Sequence, residues 1–414
     1  MKRSAIIGIV GAVVCALAIR ESARIGFARA AAQNALRTND IAAADRAVRL
    51  VPSDAELHAA RGIALQRTED YANACSALER SIQLRPRDYF LWLMLGVTRD
   101  LNDDQQGAIA ALRESVVLAP AYAKPHWQLG NLLLRTGRVD EAFGELRFAA
   151  ERDPSLLSGV IDLAWGISRS DAAQTVATMQ PHTEAARMAL AVFLAAHKQG
   201  TTAIEEFREV KSPSAAGADR LMYGLLEAKF VAEAFEVWRN THCTACKPGV
   251  LLNNSFEDDI NVGQKGFGWQ ISADIPNPTL SIDASEHETG ARSLRIDFHG
   301  SSNSATALAS QLIIVNPETR YRLSLQAMTK SFVSAAPPLV KVINGSDGQS
   351  SVLGQSSNIS EANSWRPFTI EFMTRADTHA IEVVLSRQSC ANNPCAAFGT
   401  VWVDSFDLRE SPGR

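Results

Sequence analysis

Three textures of hydrophobic and polar positions follow one another along the chain. The first is an uncharged run, residues 5–19, closed by Lys2 and Arg3 on one side and Arg20 on the other. The second, up to about residue 240, places apolar residues three and four apart, the spacing of one helix face. In the third, short stretches alternate instead. Leu294, Ile296 and Phe298 alternate with Arg295 and Asp297, and Tyr321, Leu323 and Leu325 with Arg322 and Ser324. Phe368, Ile370 and Phe372 alternate with Thr369 and Glu371, and Val401 and Val403 with Trp402 and Asp404. Such alternation between Gly, Asn, Pro and Ser turns predicts antiparallel strands with one inward face each, hence a β-sandwich. No βαβ order appears, so no dinucleotide fold is expected. The expected fold class is multidomain, α then β.

The helical stretch repeats. Pro52, Pro86, Pro120 and Pro154 stand 34 residues apart, as do Gly62, Gly96 and Gly130, then Ala74, Ala108 and Ala142, then Leu78, Leu112 and Leu146. One copy reads Trp92, Leu95-Gly96, Ala108, Leu112, Ser115, Pro120, and the next reads Trp127, Leu129-Gly130, Ala142, Leu146, Ala149, Pro154. This resembles the tetratricopeptide repeat, in which small residues let two helices approach and proline ends the second helix. One repeat cannot bury its apolar face alone, so several stack into a solenoid. After Pro154 the period fades into helical text read as divergent pairs. The resemblance implies a groove for a protein partner at Phe90, Leu93, Val97, Lys124, Trp127, Asn131 and Arg135. Ala59, Ile63, Leu93 and Val97 are apolar where a carboxylate clamp would place Asn and Lys, which argues for a solvated face there.

Landmarks over residues 248–410 resemble, in order, the galactose-binding-like jelly roll of family 4/9-type carbohydrate-binding modules. They are Asn253 to Glu257 as a first strand, Phe267-Gly268-Trp269, Gly290 to Ile296, Tyr321 to Ser324, Trp365 to Phe368, and Val401 to Leu408. The resemblance implies carbohydrate binding, with Phe267, Trp269, His287, His299, Gln326 and Phe332 as candidate contacts. Trp269, Trp365 and Trp402 fall on fold landmarks and are read first as core. The resemblance also implies a structural Ca²⁺ held by Glu257 and Asp404, with Asn254 and backbone carbonyls, since hard oxygens suit that ion. The alternative is that both acids are solvated strand ends.

Composition narrows the classes. Lys and Arg number 41 against 45 Asp and Glu, a net charge of −4, so no basic face for nucleic acid is expected. Fifteen helical residues reach about 22 Å, short of a roughly 30 Å hydrocarbon core. With basic flanks the first run reads as a short uncleaved anchor or a cleaved signal. Either places the rest outside the cytoplasm: anchored to an inner membrane with periplasmic domains, or secreted. In that setting disulfides are the default for Cys243, Cys246, Cys390 and Cys395, with a four-cysteine zinc site as the alternative. No phosphate loop, nucleophile elbow or zinc-protease motif appears, and the eight His are scattered. The expected domains are 1–24 (anchor or signal), 25–241 (repeats, clearest over 55–154) and 247–414 (sandwich). The expected function is a non-enzymatic envelope scaffold whose repeats bind a protein and whose jelly roll binds a glycan, in exopolysaccharide assembly or export. The alternative is a purely protein-binding scaffold without a sugar site.

Overall fold

The computed structural model describes residues 2–260, 266–271, 277–302, 306–346, 350–360, 362–390 and 394–411, with side chains from residue 10 onward. The Lys2 and Arg3 side chains and the tip of the loop between Cys390 and Cys395 lie outside the described residues. The chain divides into two compact units, Met1–Gln180 and Pro181–Arg414.

The first unit holds helix pairs α1 (Lys2–Thr38) and α2 (Ile41–Leu50), α3 (Ala55–Arg67) and α4 (Tyr71–Leu84), and α5 (Tyr89–Leu101) and α6 (Gln105–Leu118). Then come α7 (Ala123–Arg135) and α8 (Val139–Arg152), and α9 (Leu157–Ile167) and α10 (Ala172–Met179). The second unit opens with α11 (Glu184–Ala196) and α12 (Gly200–Arg208), then α13 (Ala215–Glu227) and α14 (Val231–His242).

Every pair turns the same way. A left-handed residue follows the first helix: Asn39, Glu69, Asp103, Gly137, Arg169, Lys198 and Lys229. The next amide then bonds back five residues, as from Asp70 to Leu65 O, Asp104 to Arg99 O, Gln199 to Leu194 O and Phe230 to Leu225 O. That closure satisfies carbonyls the helix end would orphan. The pairs therefore continue through the stretch where the sequence period fades.

Within the clear repeats the 34-residue step has direct geometric content. The ring nitrogens of His58, Trp92 and His126 bond the carbonyls of Pro52, Pro86 and Pro120 at 2.9, 2.9 and 3.1 Å. Proline ends each second helix, and a ring from the following helix occupies the carbonyl left over. His126 is thus the equivalent of Trp92, and Trp127, paired with it in the sequence reading, stands one position later. Ser81 and Ser115 hydroxyls donate to the Ala55 and Tyr89 carbonyls, tying second helices to first ones. A Cβ on Gly96 would lie 2.5 Å from Leu112 Cγ and 3.2 Å from its backbone nitrogen. Gly96→Ala is expected to cost about 1–3 kcal/mol through this overlap, read as a lower midpoint in thermal unfolding.

The sequence boundary at residue 24 meets no break, because α1 runs unbroken into the first repeat, where Ala28, Ala32 and Ala35 are buried. Before that point Val10, Val13, Val14, Leu17 and Ile19 are exposed. Among the described residues no helix is long and apolar enough to cross a membrane.

Two five-stranded antiparallel sheets complete the second unit. One has the order β2 (Thr279–Asp283), β3 (Ser293–Ser302), β10 (Cys395–Glu410), β5 (Arg320–Ser334) and β8 (Arg366–Met373). The other has the order β1 (Gln270–Ile271), β4 (Ala307–Ile314), β9 (Ala380–Arg387), β6 (Pro338–Asn344) and β7 (Val352–Gln355). The alternating residues point inward as expected: Leu294, Ile296, Phe298, Leu323, Leu325, Ile370, Val401 and Val403 share one core with Val340, Val342, Ile381, Val383 and Leu385. The expected first strand forms turns instead, because Asn253 and Phe256 take left-handed backbone. Asn254 still docks it: the Phe406 amide donates to Asn254 O at 2.9 Å, and Asn254 Nδ2 donates to Phe406 O at 2.8 Å.

Helix α14 and the sandwich share a hydrophobic contact, which is why the unit boundary falls before α11 rather than near residue 241. The Phe267 ring lies 5.0 Å from Phe235 and 5.9 Å from Trp238, and the Gly249 amide donates to Ile314 O. Cys243 is bonded to Cys246, and Cys390 to Cys395.

Candidate functional site

The groove candidates fall on α5 and α7. Phe90 and Lys124 are exposed, while Val97, Trp127 and Asn131 are half-buried. Leu93 is only 1% exposed, packed with Ile109, Leu112 and Leu129, so it is a core residue rather than a groove one. Asn131 donates its amide to Trp127 O one turn back, and Arg135 pairs with Asp100 of the preceding repeat. The surface left for a partner is therefore mixed, with Phe90 and Trp127 as its aromatic members. A feature absent from the sequence reading is a cleft of about 470 Å³ between α11 and α13, with Met188, Ala189 and Val192 as floor and Glu184 and Arg220 at the rim.

The carbohydrate candidates do not converge. Phe267 is locked against α14. Trp269 is 4% exposed, packed on Phe256 and Phe406 at 5.2 and 5.1 Å, and spends its indole N–H on Asn253 O. Neither ring can stack on a sugar. Phe332 is half-buried against Phe298, and His287 lies exposed in the β2–β3 connection. His299 and Gln326 do share a surface, the outer face of the sheet containing β3, β10 and β5, but not one end of it.

That outer face is organised by register. Arg295, Trp402 and Met328 lie in one row, Asp297, Thr400 and Lys330 in the next, and His299, Phe398 and Val333 beyond. Arg295 binds Asp297 through two nitrogens at 2.8 and 3.0 Å and lies over the Trp402 ring, 5.5 Å from its centroid. Trp402 donates to Asp283 at 2.9 Å, and Thr400 donates to Asp297 at 2.7 Å. These bonds fix the middle of the face. At one end the Phe398 ring stands 55% exposed beside His299. Phe398 continues the outward series of Thr400 and Trp402 along β10, a series the sequence reading followed only from Val401 onward.

Asp283 and Asp297 are held below the usual carboxylate range. For Asp283 burial acts upward and is outweighed by bonds from Ser285 and Trp402 and by the Arg295 charge. For Asp297 burial is outweighed by Arg295 and Thr400. The folded state thus binds fewer protons than the unfolded one. Stability from this network is complete above the unfolded aspartate value, about 3.9, and drains as pH falls through the lower folded values. Acid unfolding followed by hydrogen exchange in β3 and β10 is expected to set in below that value. In Asp283→Asn the acid-dependent part shrinks.

The two acids implied as calcium ligands both grip residues 286–292. Asp404 is wholly buried; Oδ2 accepts the Glu288 and Thr289 amides at 2.8 and 3.0 Å, and Oδ1 the Ser405 amide at 2.6 Å. Burial pushes its carboxyl up, and these amides pull the other way without cancelling it. Glu257 Oε1 accepts the Ala291 and Arg292 amides at 2.8 and 3.2 Å. N–H groups rather than carbonyl oxygens face both acids, an environment that holds anions. These amide bonds tie residues 286–292 to both acids. Among the described residues no three His, Cys, Asp or Glu converge.

No family model matches the chain, and no curated protein matches it. Solved structures similar to parts of it include YrrB, described as a TPR protein with an unusual peptide-binding site, at 21% identity over 41% of this chain and 94% of that one, TM-score 0.33. MamA from Desulfovibrio magneticus RS-1 is similar at 19% identity over 45% of this chain and 93% of that one, TM-score 0.31. A CBM4 structure is similar at 13% identity over 39% of this chain and all of that one, TM-score 0.30. The helix pairs and the two sheets carry the fold class on their own: tetratricopeptide-type repeats followed by a jelly roll.

Proposed function

We propose that this protein is a non-enzymatic adaptor of the cell envelope, whose repeats hold a protein partner and whose jelly roll holds a carbohydrate. The observation that carries the sugar reading is the outer sheet face, where the exposed Phe398 ring stands next to His299 and the braced Asp297, Arg295 and Thr400. An apolar ring beside fixed donors and acceptors is the arrangement that sugar rings require. The groove of α5 and α7, with Phe90, Trp127 and Lys124, supports the protein partner. The exposed apolar side chains over residues 10–19 support an inner-membrane anchor with the remainder in the periplasm. A place in exopolysaccharide assembly or export would unite the three.

The test is affinity electrophoresis of the full chain through a panel of polysaccharides. One polymer class is expected to retard it, and Phe398→Ala to remove the retardation while leaving the thermal midpoint in place. A folded protein that no polymer retards would sink the sugar reading. The second reading, a scaffold that binds only proteins, then stands, and the burial of Phe267 and Trp269 is the observation that favours it. Calcium at Glu257 and Asp404 is a separate proposal. Adding Ca²⁺ to chelated protein is expected to raise the midpoint of the second unit, and an unchanged midpoint rejects it.

A further inference from the structure

The outer face that carries Phe398 ends, on its other side, in a polar groove of about 360 Å³ across β8, β5 and β10. The bulge between Asp404 and Asp407 forms one wall. Arg322 of β5 stands directly opposite Arg409 of β10 in the ladder. Two like charges in such register repel and weaken a sheet unless something neutralises them. Arg409 has a partner in Asp407 at 2.6 Å. Arg322 has none: it forms no ion pair among the described residues, not even with Glu371, its neighbour in register on β8. Arg320 adds a further exposed positive charge two positions away on the same face. Ser324, Gln326 and Thr369 line the groove beside Arg322 with neutral donors and acceptors, and Asp407, the acid that lines it, is held by Arg409.

We propose that this groove is a subsite for a carboxylate-bearing sugar, so that the glycan bound by the jelly roll is an acidic, uronate-type polysaccharide. The inference rests on the sugar reading above and names its substrate class. The planar guanidinium fork of Arg322 matches a carboxylate in two parallel hydrogen bonds, which would also relieve the Arg322–Arg409 repulsion. Ser324, Gln326 and Thr369 then take the hydroxyls of the same sugar residue.

The full chain is run against polygalacturonate, a neutral galactan and dextran sulfate, at low and high salt. Polygalacturonate is expected to bind most tightly. Arg322→Gln is expected to weaken it about tenfold or more, the effect of losing a charge-assisted pair, with galactan binding unchanged. Phe398→Ala weakens both galactan and polygalacturonate. Because Arg322 is exposed, an unchanged thermal midpoint confirms that Arg322→Gln is folded. Three results overturn the acidic assignment while leaving the sugar reading intact: galactan bound as tightly as polygalacturonate, polygalacturonate binding indifferent to Arg322→Gln, or binding to neutral polymer alone. Dextran sulfate held as tightly as polygalacturonate, both released by salt, would reduce the site to unspecific charge attraction and overturns it too. Retention by none of the three polymers ends both readings.

Discussion

Arg387→Met is expected to lower the unfolding free energy of the second unit by about 3–5 kcal/mol, because each buried acceptor left without a donor costs about 1–3 kcal/mol. Arg387 is 1% exposed, and among the described residues no carboxylate pairs with it. Burial accordingly lowers its guanidinium from the usual value. Its charge is spread instead over neutral acceptors. Nε donates to Ala336 O at 3.0 Å, and Nη1 donates to Ser302 Oγ at 2.7 Å and Cys395 O at 3.0 Å. Nη2 donates to Ser334 Oγ at 3.0 Å and Ala396 O at 3.3 Å. One side chain of β9 thereby ties together the ends of β3, β5 and β10 in the opposite sheet. Methionine fills much of the volume and removes the donor to Ala336 O, Ser302 Oγ and Cys395 O, while Ala396 O keeps the Ser334 hydroxyl and Ser334 Oγ the Ala336 amide. Lysine, with one nitrogen in place of a fork, is expected to recover only a minor share. Urea unfolding gives the magnitude, and hydrogen exchange is expected to show β10 and the end of β5 opening first. A midpoint within error of the parent would mean that water replaces the guanidinium at little cost.

Gly399→Ala is expected to cost roughly 2–6 kcal/mol, combining backbone strain with a steric overlap that cannot relax. Gly399 has φ +99°, a conformation L side chains rarely adopt. A Cβ there would lie 2.3 Å from Ser331 O and 2.7 Å from Phe332 Cα. Both are backbone atoms, so no rotamer change makes room. The glycine sits at the register shift between Phe398 and Thr400 on β10 and sets how the strand continues to Phe398. The variant is therefore expected to lose the Phe398 face as well as stability: polysaccharide retardation is lost as in Phe398→Ala, but here the thermal midpoint falls with it. Full stability would show that the bulge can be rebuilt around a methyl group.

The candidate site was less legible than the fold, for reasons visible at single residues. Phe267 and Trp269 stood among the candidate sugar contacts, Trp269 read first as core, because aromatic residues in a turn-rich stretch have two uses, stacking on a ligand or plugging a core. What separates the uses is the neighbour, Phe235 and Trp238 for one and Phe256 and Phe406 for the other, all but one of them distant in the chain. Leu93 was placed in the groove by the repeat resemblance, which gives a direction but not the depth of the next repeat over it. Arg322 and Ser324 were legible as outward positions of one strand. That Arg322 faces Arg409 is a statement about register between strands far apart in sequence.

Local periodicity determined the architecture, since each period expresses a geometry the chain meets within a few residues. Spacings of three and four gave helices, the 34-residue step placed glycine against leucine and a ring against a proline carbonyl, and alternation set the inward faces of the strands. Composition likewise set the near-balance of charge, 41 basic against 45 acidic residues. Only the tertiary structure decided the remainder: the continuation of the helix-pair turn beyond Pro154, which Arg169, Lys198 and Lys229, non-glycine residues in left-handed conformation, conceal; the docking of α14 on the sandwich; the amide grip on Asp404 and Glu257; and the sheet face joining Phe398 to Arg322. In each of these a contact joins elements whose approach is fixed by packing and strand register, and no local pattern of residues records either.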